Sequence, residues 1–138
     1  MPPVDGFPHV HRETVRFRDL DAMGHVNNAV YLTYLEQARL TFLQSLGLVR
    51  GLAMPQMILA RVEIDFRDQV GPGDDVEIGV RPARVGTKSF ELEHRFEAAG
   101  RHVADARSVL VSYDYERQES IRVPDEWRRA LAPEGVPA

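Results

Sequence analysis

The sequence predicts an α+β chain of two layers, an antiparallel sheet of about five strands wrapped around one long helix. Two observations carry this prediction. A single stretch, residues 28–46, is apolar at helical spacing with no proline inside it. Later segments alternate apolar and polar residues and are separated by Gly-marked turns, as consecutive antiparallel strands should be. Only one substantial helix is available to this much apolar strand surface, so the sheet must curl around it.

The elements follow in order. Residues 12–18 (RETVRFR) alternate, with Val15 and Phe17 on one face and Arg16 and Arg18 on the other, and predict a half-buried strand. A short loop of Asp, Gly and Asn leads to the helix, with Asn27 or Asn28 as N-cap and Gly47 as its stop. Tyr31, Tyr34, Leu35, Ala38, Phe42 and Leu46 form one stripe, and Val30, Leu32, Leu40 and Leu43 widen it well around the cylinder. In the next segment Ile58, Ala60, Val62, Ile64 and Phe66 alternate with Arg61, Glu63 and Asp65. Val76, Ile78 and Val80 mark a third strand, and Phe90, Leu92, His94 and Phe96 a fourth. A fifth runs from Gly100 to about Tyr115, and VPDEWRRAL predicts a short helix with Pro124 near its first turn.

Length and composition suit one domain over 1–138, with loose termini at about 1–9 and 132–138. Hydrophobic residues make 43% and charged residues 28%, a globular balance. The net charge of −4 argues against nucleic acid or anionic membrane as a partner, since both need clustered cations. No run approaches the length of a membrane span, and the N-terminus lacks a basic segment followed by an apolar one. The absence of cysteine removes disulfides, thiol nucleophiles and thiolate metal sites, and suits a cytoplasmic protein. His9 and His11 fall short of the three or four convergent ligands a metal needs, so neither a metal nor another cofactor is expected.

Chemistry concentrates in RFRDLDAMGHVNNAVYLTYLEQAR. No G-x-S-x-G, H-E-x-x-H, P-loop or G-x-G-x-x-G occurs. A lone carboxylate can still act on an activated carbonyl without a full triad. Asp21 can deprotonate water or attack the carbonyl itself. The first N–H groups of the helix, near Asn28, lack intrahelical partners and sit at the positive end of its dipole. Aimed at a carbonyl oxygen, they would form an oxyanion hole. Gly24 allows the loop to turn sharply. Asp19 reads as a bystander, His94 as a core histidine, and Glu36 with Arg39 as a local ion pair on the helix.

The GHVNN run after Asp21, the ladder Tyr31, Tyr34, Glu36, Arg39, the R-x-E-I-D-F of 61–66, the GPGD of 71–74 and the VGTKSF of 85–90 go together. In this combination, which covers most of the chain, the sequence resembles the 4-hydroxybenzoyl-CoA thioesterase family of hot-dog proteins. The loop is also similar to that of plant acyl-carrier-protein thioesterases. The resemblance implies a hot-dog fold and hydrolysis of an acyl-CoA thioester to free acid and CoA, with acyl-carrier protein an alternative thiol carrier. It implies Asp21 as nucleophile or general base, the Asn28 amide as oxyanion donor, and His25 and Asn27 as orienting groups. Arg84, Thr87, Lys88 and Ser89 would meet the phosphates and pantetheine of the carrier. The acyl group would be read by a cavity beside Tyr31, Tyr34, Met54 and Ile58. The resemblance also implies a homodimer or homotetramer whose sites draw on two subunits. Two rivals are a hot-dog enoyl-CoA hydratase or dehydratase, whose D-x-N-P-x-H motif the loop lacks, and a non-catalytic acyl-CoA-binding module.

Overall fold

In the computed structural model, which describes Val4, residues 6–52 and residues 56–132, the long helix α1 spans Asn28–Ser45. Asn27 caps it, its side-chain oxygen accepting from the N–H of Ala29 at 2.8 Å. At the other end Gly47 takes φ +75°, and its N–H donates to the Gln44 carbonyl. Tyr31, Tyr34, Leu35, Ala38, Leu40, Phe42 and Leu43 are all buried. Most of the apolar stripe is therefore enveloped, while Leu32 and Leu46, which the sequence placed on it, are 42% and 37% exposed.

The sheet contains β1 (His9–Thr14), β2 (Met57–Phe66), β3 (Asp75–Val85), β4 (Ser89–Ala98) and β5 (Arg101–Asp114), with a two-residue strand β6 (Glu119–Ser120) beside β5. The order across the sheet is β1-β3-β4-β5-β2, antiparallel throughout. Val76, Ile78, Val80, Phe90, Leu92, Phe96, Ala104 and Leu110 face inward and form the core with α1. On the outer face, Arg81 and Arg107 pair with Glu93 at 2.7 and 2.9 Å, which keeps the polar half of each alternation in solvent. Helix α2 (Asp125–Leu131) buries Leu131 and packs Trp127 on Phe90. No helix among the described residues is long and apolar enough to cross a membrane.

Four expectations are corrected. The first strand lies at 9–14 and not 12–18, because Arg16 and Asp19 close a 3-10 turn at Phe17–Asp19 that leaves Phe17 92% exposed. Phe7, in the stretch expected to be loose, packs under the Arg81 guanidinium, 4.5 Å from its ring centre. In β2 the register against β5 slips between Leu59 and Arg61, so Ala60 is a bulge and Leu59, not Ile58, continues the inward row of Val62, Ile64 and Phe66. Arg39 does not pair with Glu36. It turns into the core and donates to Ser108 at 3.1 Å, and Ser108 also bonds the buried His94 at 2.8 Å. Most of the expected loose C-terminus, and Met54, lie outside the described residues.

Candidate active site

The loop from Asp19 to Asn27 is tied at its base. The Asn27 N–H donates to the Asp19 carbonyl at 2.9 Å, and a single β-bridge pairs Leu20 with Val26. Inside, the Asp21 N–H donates to the His25 carbonyl at 2.8 Å. Gly24 supplies the left-handed corner at φ +80°, which a residue with a Cβ adopts only under strain. The N–H groups of Met23 and His25 both donate to Asp21 Oδ1, at 2.9 and 3.2 Å. One carboxylate oxygen is thus fixed by the backbone of its own loop. The other, Oδ2, makes no hydrogen bond among the described residues.

Asp21, His25, Asn28 and Tyr31 line one cleft of about 360 Å³, with Met23, Val26, Phe66, Arg67, Asp68 and Gln69 completing its wall. The Asn28 N–H is the first of α1. The Asn27 side chain satisfies Ala29, and the Asn27 carbonyl takes the N–H of Val30, which leaves Asn28 with no acceptor among the described residues. Asp21, with one carboxylate oxygen unoccupied among the described residues, and Asn28, with an unoccupied N–H at the positive end of a helix, therefore line the same cavity. Tyr31 forms the floor, edge-on to Phe66 with ring centres 5.0 Å apart. Burial, and next the Asp68 carboxylate, push its phenol above the ordinary range, so it stays neutral and keeps its O–H as a donor.

The remaining predicted residues lie elsewhere. Asn27 uses its side chain as the helix cap, which accounts for it without a role in orienting Asp21. Arg84, Thr87, Lys88 and Ser89 cluster at the β3–β4 hairpin, at the end of the sheet where Val85 pairs with Phe90 and Met57 with Ser112. The cleft is at the opposite end, where Phe66 pairs with Ala104. Nine residues of strand, roughly 30 Å, separate the two ends within one chain. Tyr34 points away from the cleft and donates to the buried Asp19. Arg67, Asp68 and Gln69, on the wall facing Asp21, were not singled out by sequence. They carry no catalytic motif, and only the antiparallel return of β2 brings them there. Among the described residues no three His, Asp or Glu side chains converge to hold a metal ion.

This geometry has relatives. A thioesterase from Thermus thermophilus, solved with coenzyme A and zinc, is 36% identical and superposes with a TM-score of 0.83 over 97% of this chain and 99% of that one. The gentisyl-coenzyme A thioesterase BH1999 is 27% identical, with a TM-score of 0.80 over 90% of this chain and all of that one. The long-chain acyl-CoA thioesterase FadM of Escherichia coli is 29% identical over 85% of this chain and 92% of its own length. The family model described as the thioesterase-like superfamily matches residues 15–131, from the turn before Asp21 through the last helix, and the chain belongs to that superfamily.

Proposed function

We propose that the protein hydrolyses acyl-coenzyme A thioesters at Asp21. The observation that carries this reading is that Asp21, with one carboxylate oxygen free among the described residues, and Asn28, with an unpartnered N–H among them, line one cleft. The thioester carbonyl oxygen sits on the Asn28 N–H, and the carbonyl carbon faces Asp21 Oδ2. In the general-base route water adds to the carbon, its proton passes to Asp21, and the tetrahedral oxyanion rests on Asn28 until it collapses and expels the CoA thiolate. In the nucleophilic route Asp21 attacks first, the thiolate leaves, and water cleaves the resulting anhydride. His25, on the same wall, orients the water. The superfamily relatives named for CoA thioester hydrolysis support the reaction class.

The site is completed by a second copy of the chain. Among the described residues strand β2 has a hydrogen-bonded neighbour on one side only, and Ile58, Leu59 and Phe66 on it are 38–45% exposed. Antiparallel pairing of two β2 edges sets the Met57 end of one copy beside the Phe66 end of the other. The hairpin holding Arg84, Thr87, Lys88 and Ser89 is two strand spacings, roughly 10 Å, from that Met57 end. It then approaches the opposite copy's cleft, where it can receive the pantetheine arm and phosphates of the carrier.

The test is thiol release from a panel of acyl-CoA and acyl-carrier-protein esters by Asp21→Asn, checked for native folding. Activity at background supports the assignment, and wild-type rates on the panel overturn it. Label in the Asp21 carboxylate after a single turnover in ¹⁸O-water identifies the nucleophilic route with water attacking the aspartyl carbonyl of the anhydride.

A further inference from the structure

We propose that Asp19 is a positioning residue that yokes the Asp21 loop to the start of α1. The inference rests on the reading of Asp21 and Asn28 above. Those two groups belong to different segments, a loop and a helix end, and an error near 1 Å between such groups costs on the order of 100-fold in rate.

Asp19 touches both segments. It lies two residues before Asp21 and is 4% exposed. Its main-chain carbonyl accepts the N–H of Asn27, the residue that caps α1 and precedes Asn28. Its side-chain Oδ2 accepts the Tyr34 hydroxyl at 2.7 Å, together with the N–H of Arg16 at 2.9 Å and Arg16 Nε at 3.3 Å. Tyr34 is nearly two turns into α1 and 1% exposed. One bond therefore holds the first turn of the helix and the other its body, which fixes both the position and the rotation of the helix end. From Asp19 the Leu20–Val26 bridge and the Asp21–His25 bond carry that reference directly to the carboxylate.

Closure of the local 3-10 turn explains the Arg16 bonds but not the bond to Tyr34. A phenylalanine at 34 would fill the same core, and a buried carboxylate is expensive to keep for stability alone. The short hydroxyl-to-carboxylate bond is of the strong, direction-setting kind.

The experiment compares Tyr34→Phe, Asp19→Asn, their double variant and Asp21→Asn for kcat, KM, thermal unfolding and amide hydrogen exchange. Tyr34→Phe deletes one hydroxyl and keeps the packing, so it tests the bond even where Asp19→Asn folds poorly. The expected result is a kcat about 10-fold lower for Tyr34→Phe with KM within about twofold, and a double variant no worse than Asp19→Asn. Amides of residues 21–28 should exchange faster while those of β3, β4 and β5 keep wild-type protection. If Tyr34→Phe and Asp19→Asn keep kcat within about twofold while Asp21→Asn is inactive, the yoke is wrong and the thioesterase reading stands. If losses come with uniformly faster exchange across the sheet, Asp19 is merely structural and the proposal falls. If Asp21→Asn is fully active, both ideas fall together.

Discussion

Replacing Asn28 with proline deletes the proposed oxyanion donor and little else. Asn28 is the first residue of α1, the helical position proline favours, since its N–H has no intrahelical acceptor to lose. The residue before it, Asn27, already has φ −61° and ψ 137°, the extended conformation a following proline demands. Its side chain continues to cap Ala29. Stability should therefore change by no more than about 0.5 kcal/mol, as for an exposed substitution. The reaction should lose what a single oxyanion-hole donor supplies, about 2.7–4 kcal/mol, which is on the order of 100- to 1000-fold in kcat. Asn28→Ala, which removes the exposed side chain and keeps the N–H, is the control and should stay close to wild type. The assay is continuous detection of released thiol with the ester that performs best on the panel, alongside a thermal melt. Wild-type kcat in a folded Asn28→Pro protein would refute the oxyanion assignment. Equal losses in the proline and alanine variants would refute it too, because the side chain would then be responsible.

Three other outcomes are expected. Burial, and next the Arg39 guanidinium, push His94 down to about 3 from its ordinary 6.5. Below pH 6.5 the unfolded chain binds a proton that the fold refuses, so this contribution is whole above 6.5 and falls with acid down to about 3. By pH 5 about 2 kcal/mol is lost, and urea midpoints should show a flatter acid slope for His94→Gln than for wild type. Neutralising Arg84 and Lys88 together should raise KM for CoA esters more than for short pantetheine thioesters, and an equal rise would remove the phosphate contact. Mixing that variant with Asp21→Asn should restore activity in heterodimers if hairpin and carboxylate act across subunits. A Cβ on Gly79 would fall 2.6 Å from Phe7 Cγ and 2.9 Å from its Cβ. Gly79→Ala should therefore cost about 1–3 kcal/mol in a melt, and Phe7→Ala in the same chain, which removes the Cγ contact, should recover part of it.

What was legible in the sequence was what neighbouring residues decide among themselves. Asn27 and Gly47 bound the helix because capping is a matter of a few bonds within one turn. The Asp21 loop was legible for the same reason, since Met23, Gly24 and His25 fold back on the carboxylate without help from elsewhere. The bulge at Ala60 was not, because β5 imposes the register and nothing in MILARVEIDF marks the slip. Arg39 misled because pairing with Glu36 is the logic of an isolated helix in water. In the fold its guanidinium lies under the sheet, within reach of Ser108, 69 residues away.

Asp19 and Asp21 show how position, not residue type, sets a carboxylate's surroundings. Both sit in DLD, and a two-residue offset decides which carboxylate is buried. Asp19 falls where the 3-10 turn ends against α1. Burial alone would raise its pKa, but bonds from Tyr34 and Arg16 outweigh it and hold the carboxyl below the ordinary range. Its stabilising contribution is present above the unfolded carboxylate pKa of about 3.9 and disappears only as pH falls through the lower folded value. Asp21 falls where the chain leaves that anchor, on the lining of the cleft, with one oxygen tied to its own loop and the other without a hydrogen-bond partner among the described residues. On the proposed reading, the division of labour comes from where the helix starts: a carboxylate held rigid behind the loop would let the one in front stay open without drifting from Asn28.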